Sequence, residues 1–230
     1  MIEGLLLVDK PKGWTSFDVV NYVRRIVATV EGKKPRNVKV GHTGTLDPAA
    51  TGLLVLCIGK YTKKVPELIR HDKTYAAEIT FGATSTTGDG EGAINPYAGA
   101  KKQSRAEVEA VLENFIGEIE QMPPAYSALK VDGKRAYELA RAGKEVKLQP
   151  RKIVIHSIEL LEYDWPVATI RCSVSSGTYI RVLAEDIGRD LDVGAYLSGL
   201  RRTRVDKWRV EDACNPKELA SENIVDKLLR

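Results

Sequence analysis

The sequence predicts an α+β protein with a mixed, largely antiparallel sheet and flanking helices. Tyr75–Phe81 alternates strictly, with Tyr75, Ala77, Ile79 and Phe81 on one face and Ala76, Glu78 and Thr80 on the other, which is the period of a strand. Ile153–Tyr163 and Val167–Val174 read as two more strands joined by a turn at Asp164-Trp165-Pro166. Helical patterns fall irregularly between the strands rather than once per strand, which disfavours a doubly wound parallel sheet.

The other elements follow in chain order. Gly4–Val8 is an apolar run, read as a buried strand, and Lys10-Pro11-Lys12-Gly13 breaks it. Thr15 or Ser16 caps a helix whose Val19, Val20, Val23, Ile26 and Val27 share one face. Residues 31–39 read as a charged loop, 38–52 as an ordered loop rich in Gly and Thr, and Leu53–Ile58 as a buried strand. Residues 84–100 look like an exposed loop. Ser104-Arg105-Ala106-Glu107 is a capping box. The helix it opens points Val108, Val111, Leu112, Phe115 and Ile116 inward and ends at Gly117. Met122-Pro123-Pro124 marks a boundary, followed by a basic stretch with Tyr126 and Tyr137 and a short helix from Lys134 to Ala142. A helix from about Tyr179 to Leu191 turns Ile180, Leu183, Ala184 and Ile187 inward, and a short final helix precedes Arg201-Arg202.

A chain of 230 residues can build a core without disulfides or metals. Cys57, Cys172 and Cys214 are scattered and form no C-x-x-C pair, so they read as small buried hydrophobes in a reducing compartment. His42, His71 and His156 have no zinc spacing. No apolar run nears the roughly 20 residues of a membrane span, and Gly4–Val8 is too short for a signal peptide. A soluble, cytoplasmic protein without a metal is expected. The net charge of +4 is unevenly spread. Residues 1–73 carry 13 basic and 7 acidic side chains, and residues 130–152 carry 8 and 3, whereas residues 74–120 carry 3 and 8. Two basic blocks can attract a polyanion through counterion release, or be two solvated faces.

The chemistry centres on Gly41-His42-Thr43-Gly44-Thr45-Leu46-Asp47-Pro48-Ala49-Ala50-Thr51-Gly52. Its glycines allow tight turns, and Pro48 disfavours helical geometry at Asp47. One carboxylate is thus held on a stiff loop between apolar elements, as a nucleophile or base is presented. A phosphate-binding loop is excluded, since no lysine lies inside the segment and no Gly-Lys-Ser/Thr follows. A turn with a capping Asp stays open from these residues alone.

This dodecapeptide resembles the catalytic signature of the TruB family, the tRNA pseudouridine-55 synthases. Five further segments match that family in order. Val8-Asp9-Lys10-Pro11-Lys12-Gly13-Trp14-Thr15-Ser16 is similar to its N-terminal Lys-Pro segment, and Lys73-Thr74-Tyr75 to the one carrying its active-site tyrosine. Met122-Pro123-Pro124-Ala125-Tyr126-Ser127-Ala128 resembles the start of its RNA-gripping insertion. Ser176-Gly177-Thr178-Tyr179-Ile180-Arg181 and Leu200-Arg201-Arg202 resemble its arginine segment and its late substrate contact.

The resemblance implies a catalytic domain over residues 1–210 with a basic thumb at about 123–151, and a short tail at 211–230 where bacterial members commonly continue into a small RNA-binding domain. It implies a monomeric isomerase that acts on the T-loop and stem of tRNA with no cofactor. The uridine C1′–N1 bond breaks, the base turns over, and C5 joins C1′. Asp47 is the implied catalytic carboxylate, as nucleophile at C1′ or C6 or as base at the 2′ position. Arg181 is its implied partner, and a neighbouring cation favours an ionised carboxylate. Tyr75 is implied to stack on uracil and assist loss of the C5 proton, Tyr179 to line the pocket, and Leu200 to meet the uracil edge through its backbone. The target base must be flipped out. His42 is the implied filler of the vacated space. Lys10, Lys130 and Arg141 are expected to contact RNA, with Lys134, Arg135, Lys144 and Arg151 in a thumb that orders on binding. A tRNA-folding chaperone without turnover, the catalytic subunit of an RNA-guided particle, and a nucleotide-phosphate enzyme are the rival readings.

Overall fold

The computed structural model describes residues 1–124, 127, 130, 131, 133–136, 139 and 148–229. The chain divides into two compact units, Met1–Ala76 with Leu200–Arg230, and Ala77–Gly199. The fold is α+β with a mostly antiparallel sheet, as expected. Among the described residues no helix is long and apolar enough to cross a membrane.

The first unit is built on β1 (Gly4–Lys10), β2 (Val40–His42) and β3 (Thr51–Ile58). Both β1 and β2 run antiparallel to β3, with Leu6 opposite Leu56 and Gly41 opposite Cys57. β1 and β3 read as unbroken apolar runs because both of their faces are covered. On one face Leu6, Val8, Leu54, Leu56 and Ile58 pack under α1 (Ser16–Val30) through Val19, Val20, Val23 and Val27. On the other, Leu5, Leu7, Leu53, Val55 and Cys57 meet Leu68, Val205 and Val210. Each such side chain withdrawn from water contributes about 1.5–3 kcal/mol. Thr15 is the helix cap, in a reciprocal box with Asp18. The C-terminal segment joins this core: Leu219 and Ile224 are buried in it, and β13 (Leu228–Leu229) pairs with β1.

Two long strands serve both units, β4 (Lys73–Phe81) and β12 (Ala195–Val205). β4 shows the expected alternation, with Lys73, Tyr75, Ala77, Ile79 and Phe81 buried. In the first unit β12 runs parallel to β3, with Arg201 beside Thr51 and Arg202 beside Gly52, which makes the sheet mixed. The short helix expected before Arg201-Arg202 is therefore corrected to a strand. Its tyrosine, threonine and valine suit a pleated surface, and Gly199 fits where a Cβ would meet Glu78 at 3.2 Å.

In the second unit β7 (Gly117–Gln121), β10 (Arg151–Asp164) and β11 (Val167–Val174) are antiparallel neighbours, with β4 beside β11. Between β4 and β7 lie the short strands β5 (Ala83–Ser85) and β6 (Ile94–Pro96), which pair with each other. Helix α3 (Arg105–Glu113) packs on β10 and α4 (Ile180–Asp190) carries the second apolar stripe, while α2 (Val65–Leu68) is one turn in the first unit. Three local expectations are corrected here. Ile116 is 49% exposed, because α3 ends at Glu113 and the chain turns into β7. The 84–100 segment is not a simple exposed loop, since Ser85 and Asp89 are buried. Lys134-Arg135 belong to a strand, β9 (Lys134–Arg135), paired with β8 (Lys130–Val131) around a turn at Gly133 with φ +80°. Most of the helix expected to Ala142 lies outside the described residues.

Candidate active site

The stretch between β2 and β3 has no ladder of its own, so its backbone polar groups need other partners. Every carbonyl from Gly44 to Pro48 has one. The Arg202 guanidinium donates to Gly44 O at 3.0 Å and Thr45 O at 3.4 Å, and its Nε holds Leu53 O at 2.7 Å. The Ser16 hydroxyl donates to Leu46 O at 3.0 Å and accepts from Leu46 N at 2.8 Å. Ala50 N donates to Asp47 O at 3.1 Å, and Pro48 O receives Gly13 N at 2.8 Å and Lys10 Nζ at 3.3 Å. Asp47 thus sits half-buried at the centre of a loop fixed on both sides.

The donors arrive from three elements. Ser16 follows the cap residue Thr15, so its hydroxyl is not spent on α1. Lys10 ends β1. Arg202 is brought in by β12, and the approach is so close that a Cβ on Gly52, at φ +103°, would lie 2.3 Å from Arg202 O. Beside Arg202 is a second buried cation. Lys73 Nζ donates to Ile69 O at 2.9 Å and His71 O at 2.5 Å. Lys73 Cε and Arg202 Nη1 would lie 3.4 and 3.5 Å from a Cβ on Gly44. Burial, and then the Arg202 charge, push the Lys73 ammonium down to about 8, against the opposing pull of Asp72.

Of the residues singled out in the sequence, His42, Asp47, Tyr75, Leu200 and Lys10 belong to the first unit. The His42 ring is oriented by Gly44 N, which donates to Nδ1 at 3.3 Å. Tyr75 is 7% exposed on the inward face of β4. Leu200 O accepts from the Thr51 hydroxyl at 3.5 Å, next to the start of β3. Lys10, expected among the RNA contacts, has a different place. It has no exposed surface, and its ammonium donates to Trp14 O at 2.6 Å, Pro11 O at 3.1 Å and Pro48 O. It positions the Asp47 loop.

Arg181 and Tyr179 belong to the second unit, at the start of α4. Arg181 is 9% exposed and pairs with Asp89 at 3.4 Å, while donating to Thr87 O at 3.2 Å. Asp89 is itself fixed, since its Oδ1 accepts from the Thr87 hydroxyl at 2.6 Å and Glu91 N at 3.1 Å, and its backbone bridges to Leu197. Glu185 lies one turn along α4. Burial, then repulsion from Asp186, raise its pKa, against the opposing pull of Arg181. The backbone of Tyr179 is gripped from both sides by the buried Gln121 amide, whose Oε1 accepts from Tyr179 N at 2.8 Å and whose Nε2 donates to Tyr179 O at 3.1 Å. Lys130 lies in β8, and Arg141 is outside the described residues.

Ser16, Lys73, Arg202, Gln121 and Asp89 are positions at the site that the sequence patterns do not single out. For Ser16 a signal existed: two adjacent cap-forming residues, of which a helix needs one. Asp89 gave none, because its Gly- and Thr-rich surroundings have the composition of a solvated loop. Among the described residues no group of three or more His, Cys, Asp or Glu side chains could hold a metal ion.

Comparison with known proteins agrees with the segments that carry the resemblance. The family model for the N-terminal domain of TruB family pseudouridylate synthases matches residues 31–180. A tRNA pseudouridine synthase B of Bacteroides fragilis is 48% identical over 219 residues, covering 95% of this chain and 93% of its own. One from Phocaeicola vulgatus is 50% identical, covering 91% and 89%. One from Cupriavidus taiwanensis is 48% identical, covering 96% of this chain and 69% of its own. Among solved structures, a chain of a Cbf5-Nop10-Gar1 complex superposes with a TM-score of 0.70 at 29% identity, covering 97% of this chain and 54% of that one.

Proposed function

The chain belongs to the TruB family of pseudouridylate synthases, and from that premise we propose a tRNA uridine isomerase, with the T-loop uridine at position 55 as target and Asp47 as the essential carboxylate. The observation that carries the reading is the Asp47 loop, in which all five carbonyls around the carboxylate are held by donors from β1, α1, β12 and the loop itself. A group that must meet one sugar or base carbon in one orientation needs such preorganisation, because a misplacement of about 1 Å costs about 100-fold in rate.

The reaction balances within one nucleotide. The C1′–N1 bond breaks, the C5–C1′ bond forms, the C5 proton leaves and N1 gains one. Asp47 engages the sugar or the base during cleavage. Tyr75 offers a flat ring for the freed uracil and a phenol toward the C5 proton, the Leu200 backbone meets the uracil edge, and Tyr179 is a further contact of the base. Arg181, held by Asp89, supplies the positive charge that keeps a carboxylate ionised away from water. Flipping the target base costs a few kcal/mol, and the His42 ring fills the gap left in the stack. Residues 123–151, including Lys130 and Arg141, grip the RNA as a thumb. The enzyme works as a monomer in the cytoplasm.

The RNA-guided alternative is less well supported. The relatives named tRNA pseudouridine synthase B match this chain over about nine-tenths of their length at about half identity, whereas the chain from the multi-protein Cbf5-Nop10-Gar1 complex matches over 54% of its length at 29%. The test is conversion of an unmodified tRNA transcript by the purified protein alone, mapped at nucleotide resolution. Pseudouridine at the T-loop uridine with wild type, and none with Asp47→Asn, is expected. Product at another position, or undiminished product from Asp47→Asn, refutes the reading.

A further inference from the structure

We propose that a cavity beside α1 in the first unit seats a backbone phosphate of the RNA, at a subsite distinct from the target uridine. The inference rests on the functional reading above and extends it. The cavity measures about 620 Å³, and its wall includes Arg24, Arg36 and Lys39, together with Gly41, Thr62 and Val65. Among the described residues no carboxylate lines it. Three cations in one wall favour an anion, and two of them are guanidinium groups, whose planar forks match phosphate oxygens.

Arg24 shows the same incompleteness from inside. Its Nη1 donates to Asn21 Oδ1 at 2.7 Å, its Nη2 reaches Val40 O at 3.4 Å, and its guanidinium carbon lies 5.7 Å from the Phe17 ring centroid. The side chain is therefore set in place before any ligand arrives. Its Nε is buried and meets no acceptor among the described residues. A charged group left short of an acceptor is costly, and an anion beside the guanidinium offsets part of that cost.

The position of the cavity says which anion it takes. Its wall residue Gly41 lies in β2, and the next residue is His42, the proposed filler of the flipped base. An anion here lies one residue along β2 from His42 and so close in the chain to the Asp47 loop. Lys34, Lys63 and Lys64, in the same two stretches of chain, add positive charge for the neighbouring phosphates of a polyanion.

The test uses the full chain with the double variant Arg36→Ala/Lys39→Ala, both exposed side chains, and Arg25→Ala as control. Arg25 is exposed, one residue from Arg24, and outside the cavity. KM and kcat for a whole tRNA transcript and for an isolated T-arm hairpin are measured over a salt series, with filter binding of the same RNAs. Losing one phosphate contact flattens the slope of log affinity against log salt by about 0.9, and raises KM about 8-fold near 0.1 M salt. That change in KM, with kcat kept and Arg25→Ala close to wild type, is expected. If it occurs on both RNAs, the phosphate lies in the T arm. If it occurs only on whole tRNA, it lies elsewhere in the molecule. An unchanged KM and salt slope on both RNAs overturns the proposal, as does an equal loss from Arg25→Ala. A wild type that binds tRNA without isomerising it refutes the functional reading instead, and the binding slopes still decide the cavity.

Discussion

Replacing Ser16 by alanine isolates what the loop clamp does. The change removes one oxygen from a site 3% exposed and leaves the helix cap on Thr15 intact. Two hydrogen bonds go, at 2.8 and 3.0 Å, and both orphaned groups belong to the backbone of Leu46, which is itself 3% exposed. At about 1–1.5 kcal/mol each, Ser16→Ala lowers stability by about 2–3 kcal/mol. Leu46 precedes Asp47, so the released backbone lets the carboxylate wander. A displacement approaching 1 Å lowers kcat by about 10- to 100-fold with KM for tRNA nearly kept, the sign of an interaction felt in the transition state. Thr15→Ala is the matched control. It removes the cap one residue away, costs about 1 kcal/mol, and leaves the loop bonded. Urea denaturation and single-turnover pseudouridine formation read the two effects separately. If Ser16→Ala keeps the wild-type kcat, or Thr15→Ala loses as much, the hydroxyl is a packing detail and the clamp argument fails.

The buried Lys73 gives a pH prediction. Its pKa is about 8 folded against 10.5 for a free lysine. Between those values the folded state binds fewer protons than the unfolded one, so stability rises with pH, by about 3 kcal/mol in all. Denaturation of wild type and Lys73→Met from pH 7.5 to 10.5 checks the sign, because the difference must move in favour of wild type, and parallel curves refute it. Gln121→Leu frees the backbone of Tyr179 on both sides and is expected to raise KM for tRNA about 5-fold, the equivalent of one lost bond. Gln121→Glu retains the acceptor for Tyr179 N and should show a smaller rise, so equal effects of the two variants exclude the grip. Asp89→Asn removes the carboxylate charge that pairs with the buried Arg181, and should lower kcat more than it weakens tRNA binding. A wild-type turnover rate in that variant would remove Asp89 from the positioning of Arg181.

Elements with one strong local signal were legible. The helix start at Thr15-Ser16, the capping box at Ser104, the alternation of β4 and the apolar runs of β1 and β3 all form where the sequence places them. What failed depended on partners distant in the chain. Residues 195–205 become a strand because β3 and β4 offer edges on either side, and no local pattern announces that. Ser85 and Asp89 are buried although their neighbours have the composition of a solvated turn. The candidate site divides the same way. Asp47 stands out through its Gly- and Pro-bounded loop, whereas Lys10 and Arg202 carry charges that a sequence assigns by default to solvent or to RNA. Their burial goes with the backbone carbonyls they serve, and only the folded chain reveals those.

That accounting also explains why segments so far apart in the chain must occur together. A loop that is neither helix nor strand presents carbonyls without partners, and each buried one must find a donor. Arg202 serves two of the loop carbonyls and Ser16 one, and Lys10 shares another with Gly13. These residues lie in the Lys-Pro segment and in Leu200-Arg201-Arg202, two of the segments that carry the resemblance. The bidentate pair of Arg201 with Asp9, at 2.7 and 3.0 Å, ties the same two segments to each other. Their association with the Asp47 loop is therefore a requirement of its backbone before it is one of the substrate. It follows that exchanging Arg202 for lysine, which keeps the charge but offers no fork for Gly44 and Thr45, should lower kcat even where the protein folds.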